Sequence, residues 1–295
     1  LTSVFCHAAG PMKPALTAIP ISATQPCPWW LWPNLLSLDA PLIALVWQEG
    51  FARSLGVELE WKHRALLGLC AWLAYCGDRI LDGRRLKKPV ESARHEFCRV
   101  HYWPLSIAWG VGLLVAIYLA LQLSAGELLG GMVLLSSVLV YFGLHHHPAT
   151  RQRAGCIKEC MAGTGFAVGT VFFVLMQAEV SAGLIILCIA WAGLCSVNCL
   201  MIAGWDRDLD KRMDQPSMAL VWHGMETRVP WIVIAMLGMS LGAVWLDQRW
   251  MMLSAALWVS GVGLIQLCLR RSSYPPTLAR VLADAVLLSP LIFLV

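Results

Sequence analysis

Charged residues are scarce in this 295-residue chain: they make up 14% of it, while hydrophobic residues make up 58%. A soluble domain of this length usually carries about 25% charged residues. The apolar residues occur in long runs that do not alternate with polar ones, which argues against a transmembrane β-barrel. The composition therefore predicts an all-α, polytopic membrane protein.

The eleven cysteines also lack a motif, because no two of them are spaced as CxxC. Most lie within apolar runs, where a free cysteine behaves as a small hydrophobic residue. A metal or redox role is the alternative interpretation. Residues 1–30 lack the apolar core of a signal peptide, so we predict a flexible, cytoplasmic N-terminal tail there.

Nine segments are long and apolar enough to cross a membrane as helices, which takes about 20 residues each. We predict these spans at residues 35–52, 64–81, 103–123, 127–145, 158–177, 182–204, 230–246, 251–269 and 278–295. No soluble domain fits between them. The sequence therefore predicts one bundle of nine transmembrane helices over residues 31–295.

Basic residues are divided unevenly between the two sides of the membrane that nine spans define. The N-terminal tail and the loops after spans 2, 4, 6 and 8 hold 18 of the 22 Lys and Arg residues. Basic residues are in excess in the cytoplasmic loops of multi-pass proteins. We therefore predict that the N-terminus and these loops are cytoplasmic.

Two acidic clusters lie on this predicted cytoplasmic side, at the ends of spans 2 and 6. The first, LAYCGDRILDGRR, contains Asp78 and Asp82, and the second, WDRDLDKRMDQPS, contains Asp206, Asp210 and Asp214. Acids four residues apart share one face of a helix, where like charges repel. Carboxylates at this depth are costly, so they indicate a functional site more than a simple end of two spans.

Magnesium binding is the chemistry that suits these carboxylates. Mg²⁺ prefers oxygen ligands and is usually held by one or two carboxylates together with substrate phosphates. Two facing acidic helix ends could hold Mg²⁺ around a diphosphate, and nearby Arg and Lys side chains could bind the remaining phosphate oxygens. An apolar bundle would take a hydrocarbon tail. The pattern therefore favours an isoprenyl diphosphate as the substrate.

At the first cluster the chain resembles the UbiA family of intramembrane prenyltransferases. The family's first motif reads roughly N-D-x-x-D-R-x-x-D-G, and the matching stretch here is AYCGDRILDG. Its second half matches from Asp78 to Gly83. Its first half differs, because Ala74 and Tyr75 replace the leading Asn and Asp.

The second cluster resembles the family's other motif, D-R-D-x-D, from Asp206 to Asp210. Family members often carry a further acid one or two turns earlier, where this chain has Asn198 and Cys199. Two weaker similarities are LDAPLIALVW, which begins at Leu38, and IKECMAGTGFAVGT at span 5. The latter contains Lys158 and three residues suited to close helix packing, Gly163, Gly165 and Gly169.

The resemblance implies Mg²⁺-dependent transfer of a prenyl group from an isoprenyl diphosphate to a lipophilic, often aromatic, acceptor in the lipid bilayer. No nucleic-acid partner is expected. The carry-over gives metal-binding and catalytic roles to Asp78, Asp82, Asp206 and Asp210. It gives phosphate-binding roles to Arg79, Lys158, Arg207 and Lys211.

Other functions remain as alternatives. The main one is a non-catalytic protein that binds a polyprenyl lipid on the same fold. A transporter would need charged residues in the middle of several spans, whereas these acids cluster at one interface. The stretch DGRR is also similar to part of the CDP-alcohol phosphotransferase motif, but the acids that follow in that motif are missing here.

Several further polar residues have a predicted place. We expect His95 and His101 at the surface of a cytoplasmic cap, with acid–base chemistry as the alternative. The three histidines 145–147 are expected in a solvated loop. Glu159 and Asp284 lie close in sequence to Lys158 and Arg280, and we expect each acid to pair with its basic neighbour.

Overall fold

The structure is a computed structural model that describes residues 28–85, 92–147, 150, 155, 157–212, 215–222 and 224–294. The predicted tail, residues 1–30, lies outside the described residues except for its last three. The longer helices are labelled in chain order: α1 (Asp39–Leu55), α2 (Trp61–Arg85), α3 (Ala93–Val100), α4 (Tyr102–Ala120), α5 (Ala125–His146), α6 (Lys158–Leu175), α7 (Ala182–Arg212), α8 (Met225–Leu246), α9 (Met251–Leu269) and α10 (Pro276–Val286).

Short helical turns join these helices. They comprise the 3₁₀ turns Trp29–Leu31, Gln248–Trp250 and Arg271–Ser273, and the α-helical turns Trp32–Leu35, Met218–Val221 and Leu291–Leu294. The described part of the chain is thus all-helical, as the composition predicts.

Seven helices in the described ranges are long and apolar enough to cross a membrane, and the number becomes eight if the bent pair Trp29–Leu35 and α1 counts as one span. Helix α2 is not one of the seven, although it is 25 residues long. It carries basic residues in its first turn and acids in its last turns, which leaves a short apolar centre. The chain therefore has the composition of a multi-pass membrane protein, while the predicted count of nine spans is not confirmed.

The first predicted span, 35–52, begins at the wrong place because the chain bends before α1. Trp29–Leu35 and α1 meet at an angle of 83°. Ser37 lies at the bend with a φ of 59°, in the left-handed region that a non-glycine residue rarely adopts. Asp39 then begins α1, and its Oδ1 accepts a hydrogen bond of 3.0 Å from the Ala40 backbone N–H.

Helix α7 lies at the centre of the bundle and packs against α6, α8, α9 and α10. Trp191 of α7 is fully buried and stacks on Trp47 of α1 with 3.9 Å between ring centroids. The indole N–H of Trp47 donates a 2.7 Å hydrogen bond to the Leu287 carbonyl, beyond the end of α10. These contacts tie the first and last parts of the described chain to the same core.

The three glycines predicted to allow close packing have different roles. A Cβ added to Gly163 of α6 would lie 2.4 Å from the backbone N and Cα of Ser196 in α7, so the two backbones are in close contact there. Gly165 and Gly169 have open space where their side chains would be. Only Gly163 therefore serves the α6–α7 contact, which in turn aligns the start of α6 with the end of α7.

Candidate functional site

Lys158, the first residue of α6, lies among carboxylates from three helices. Asp78 and Asp82 near the end of α2, Glu159 beside it, and Asp210 near the end of α7 all interact electrostatically with its ammonium group. We call these five residues the Lys158 cluster. Acids of both clusters thus lie within electrostatic range of one lysine, and Glu159 is among them.

Gln215 and Met218, which follow α7 in the chain, each bond an acid of the Lys158 cluster. The side-chain amide of Gln215 donates to Asp82 Oδ1 at 3.2 Å. The backbone N–H of Met218 donates to both oxygens of Glu159, at 3.3 and 3.2 Å. The Gln215 backbone N–H also donates to the Asp210 carbonyl at 2.8 Å, which turns the chain back towards the site.

Asp206, one turn before Asp210 on α7, lies in a different environment. Its Oδ2 accepts a 3.1 Å hydrogen bond from Nη2 of Arg94 in α3, and its Oδ1 contacts the guanidinium of Arg280 in α10. Asp206 is only 3% exposed. Both of its carboxylate oxygens therefore lie against arginines, and neither arginine lies in the two acidic clusters.

Arg79 faces the bend before α1, although it lies between two acids of the Lys158 cluster in sequence. Its guanidinium donates to the Asn34 carbonyl, lies 3.8 Å from Asp39 Oδ2 and stacks over the Tyr75 ring at 4.9 Å. The Asn34 side chain donates to the same Asp39 oxygen at 2.7 Å. Tyr75 thus contributes its ring to holding Arg79.

Asp284 contacts α7 in addition to its own helix. Its Oδ1 accepts a 2.9 Å hydrogen bond from the side-chain amide of Asn198. Asp284 also contacts Asp39. The predicted partner Arg280 interacts with Asp284, but its direct ion pair is with Asp206.

The remaining basic candidates lie apart from these contacts. Arg207 interacts with Glu226 at the start of α8, and Lys211 is exposed. Asp208, between them, is exposed as well. Asp214, the last acid of the second cluster, lies outside the described residues.

Two histidine predictions are wrong because the local helices differ from the predicted loops. His95 is 7% exposed, and its Nδ1 lies 2.8 Å from Ser92 Oγ at the start of α3. Burial, with added repulsion from Arg94 and Arg280, lowers the pKa of His95 well below its usual value. His145 is also buried, because α5 continues through it and its ring packs on a tyrosine of that helix.

Four site residues were not predicted from the motifs: Asn34, Asp39, Arg94 and Arg280. Asp39 lies in the LDAPL stretch, and an acid at the start of an apolar run could have indicated a functional residue. Arg280 and Asp284 are charged residues four apart in a largely apolar helix, which is also a signal of a functional site. The structure buries both of them, with 7% of each residue exposed. Nothing in the sequence near Arg94 indicates its contact with α7.

The oxygen donors of the Lys158 cluster fit magnesium only in part. Within the described ranges, no three His, Cys, Asp or Glu side chains are close enough to hold a metal ion by themselves. Mg²⁺ needs only one or two carboxylates when phosphate oxygens and water complete its shell. Asp78, Asp82 and Asp210 thus form no protein cage for a metal ion, and a shared ion would need phosphate oxygens and water to complete its shell.

Comparisons with known proteins do not add to this description. No protein-family model matches the chain, and no significant match is found among curated proteins or solved structures.

Proposed function

We propose that this membrane protein transfers a prenyl group from an isoprenyl diphosphate to a lipophilic, aromatic acceptor, with Mg²⁺, at the Lys158 cluster. One observation carries the proposal: Gln215 bonds both Asp82 of α2 and the Asp210 carbonyl of α7, and both of these acids lie within electrostatic range of Lys158 at the end of an apolar bundle. A charged head group and a hydrocarbon tail are the two parts of an isoprenyl diphosphate. The neighbouring polar and apolar regions of this chain suit those two parts.

In this proposal the acids hold the metal and the lysine holds the diphosphate. Asp78 and Asp82 would bind Mg²⁺ from one side and Asp210 from the other. Bound Mg²⁺ would neutralise negative charge that develops on the leaving diphosphate. Lys158 would bind a phosphate oxygen, since it already lies among the acids. Arg79 and Arg207 are engaged elsewhere in this structure, so we give them and the exposed Lys211 a secondary role.

The surrounding loop would separate the reacting carbon from water. Gln215 and Met218 keep the loop after α7 against Asp82 and Glu159. Exclusion of water protects an allylic carbocation-like centre until the acceptor attacks it. The excess of basic residues at this end of the helices supports a cytoplasmic position for the site.

A non-catalytic protein that binds a polyprenyl lipid is the second candidate. It is favoured by the Tyr75 position, where an acid of the family motif is replaced by a ring that stacks with Arg79. With one carboxylate fewer, the site could bind a diphosphate head group without activating it. Binding and turnover must therefore be measured separately.

The binding experiment uses a long isoprenyl diphosphate and the purified protein in lipid nanodiscs, with Mg²⁺ or with a chelator. Wild type should bind in Mg²⁺, and Asp78→Asn or Asp210→Asn should weaken binding about tenfold or more, the equivalent of about 1.4 kcal/mol. Asp208→Asn is the matched control, because Asp208 is exposed on the same helix. Binding that ignores both Mg²⁺ and the two variants would contradict the proposal.

A further inference from the structure

Asp206 links three parts of the structure that are far apart in sequence. It belongs to α7, while the two arginines on its carboxylate belong to α3 and α10. The Arg280 side chain is 8% exposed and the Arg94 side chain 20%. These are buried ion pairs, and removing one partner of such a pair leaves an uncompensated charge.

Helix α3 is a short amphipathic helix that covers the end of α2. Its Cys98 packs over Gly83 of α2, where an added Cβ would lie 3.5 Å from the Cys98 Cβ. Phe97 of α3 meets Trp32, from the turn before α1, edge to face, with 6.1 Å between ring centroids. Cys98 lies on the face of α3 that packs against α2, and only 2% of it is exposed. Arg94 also joins α3 to α7, through its hydrogen bond to Asp206.

We propose that Asp206 is a positioning residue that fastens α3 over the end of the bundle, and that it does not bind the metal. The metal-binding part of this inference rests on the proposed function. Asp210, one turn later, lies in the Lys158 cluster, so the two acids of one motif serve different purposes. A metal ion on Asp206 would have to displace Arg94, Arg280 or both, and would leave their charges buried beside Arg79, which already interacts with Arg280.

Two readouts other than activity test this inference. The first is the rate at which a maleimide modifies Cys98 in the full-length protein, measured by peptide mass spectrometry, with the same peptide labelled after unfolding in SDS as the reference. The second is binding of Mn²⁺, used in place of Mg²⁺, in the presence of inorganic diphosphate. Both are measured for Asp206→Asn, Asp210→Asn and the exposed control Asp208→Asn.

The inference predicts that Asp206→Asn speeds Cys98 labelling about tenfold or more, because α3 opens more often when its ion pair is lost. Its Mn²⁺ affinity should stay within about threefold of wild type, a difference below 1 kcal/mol. Asp210→Asn should leave the rate of Cys98 labelling unchanged and should weaken Mn²⁺ binding. Arg94→Gln, which removes only the α3 side of the contact, should repeat the labelling result if Asp206→Asn does not fold.

The inference is overturned if Asp206→Asn or Arg94→Gln leaves Cys98 protected, or if Asp206→Asn loses Mn²⁺ as Asp210→Asn does. Failure of the proposed function would look different. In that case wild type would bind no Mn²⁺ with diphosphate, while the Cys98 result would still decide whether Asp206 fastens α3.

Discussion

Replacing Gly163 with alanine should destabilise the protein through the close contact between α6 and α7. The new Cβ would lie 2.4 Å from two backbone atoms of Ser196 and 2.7 Å from a backbone atom of Cys195. Backbone atoms cannot rotate away as a side chain can. Helices α6 and α7 would have to separate by about 1 Å to restore ordinary van der Waals contact.

The net cost can be worked from two opposing effects. Overpacking of a tight contact costs about 1–3 kcal/mol, while alanine in place of glycine within a helix recovers about 1 kcal/mol. The net loss is therefore about 0–2 kcal/mol relative to wild type, which should lower the Tm by up to about 8 °C for a chain of this size. The assay is thermal unfolding in detergent, followed by tryptophan fluorescence and repeated by size-exclusion chromatography.

Gly165→Ala and Gly169→Ala are matched controls on the same helix. An added Cβ meets nothing within 4 Å at either position, so the Tm should stay the same or rise. Because Lys158 begins α6 little more than a turn before Gly163, only Gly163→Ala should also weaken Mg²⁺-dependent diphosphate binding. A Gly163→Ala protein as stable as the two controls would refute the close approach of α6 and α7.

Three further predictions concern other parts of the bundle. Glu127→Ala should cost about 2 kcal/mol or more in the same unfolding assay, because Glu127 completes the capping box of α5 and lies 3.0 Å from buried His63. Trp47→Phe should cost about 1–3 kcal/mol, since the Leu287 carbonyl loses its 2.7 Å donor. His95 has a lowered pKa, so below about pH 6.5 the unfolded chain binds a proton that the folded chain does not. Stability should therefore fall from pH 7 towards pH 5, and His95→Asn should reduce that fall by up to about 1.4 kcal/mol per pH unit.

Each of these three has an exposed control that should change little. The controls are Glu179→Ala for the first, Trp245→Phe for the second and His101→Asn for the third. Equal losses in a variant and its control would mean that the contact in question does not stabilise the fold. An unchanged pH profile in His95→Asn would mean that His95 is accessible to protons in the folded chain.

Most of the fold could be predicted because apolar runs of about 20 residues leave few alternatives to a helix. The errors come from places where tertiary contacts act on the chain. The bend before α1 depends on the φ of Ser37, and no hydropathy pattern reports it. The buried position of His95 depends on α3, a short helix whose eight residues are too polar to appear as a span.

The site could be predicted in part for a similar reason. The spacing of Asp78, Asp82 and Asp210 indicates which acids share a helix face, and all three lie within electrostatic range of Lys158. The spacing does not reveal that Asp206, on the same face as Asp210, meets two arginines from distant parts of the chain. Nor does it separate Gly163 from Gly165 and Gly169, because only the position of α7 does so.

Release of inorganic diphosphate is the measurement that tests the central claim most directly. Purified protein in nanodiscs is incubated with a long isoprenyl diphosphate and a membrane lipid extract as the source of acceptor, with Mg²⁺ or with a chelator. A prenyltransferase should release diphosphate and move the prenyl label into a new lipophilic product only with Mg²⁺, and Asp210→Asn should abolish both. Tight, Mg²⁺-dependent binding with no release would contradict the catalytic claim and favour the lipid-binding protein.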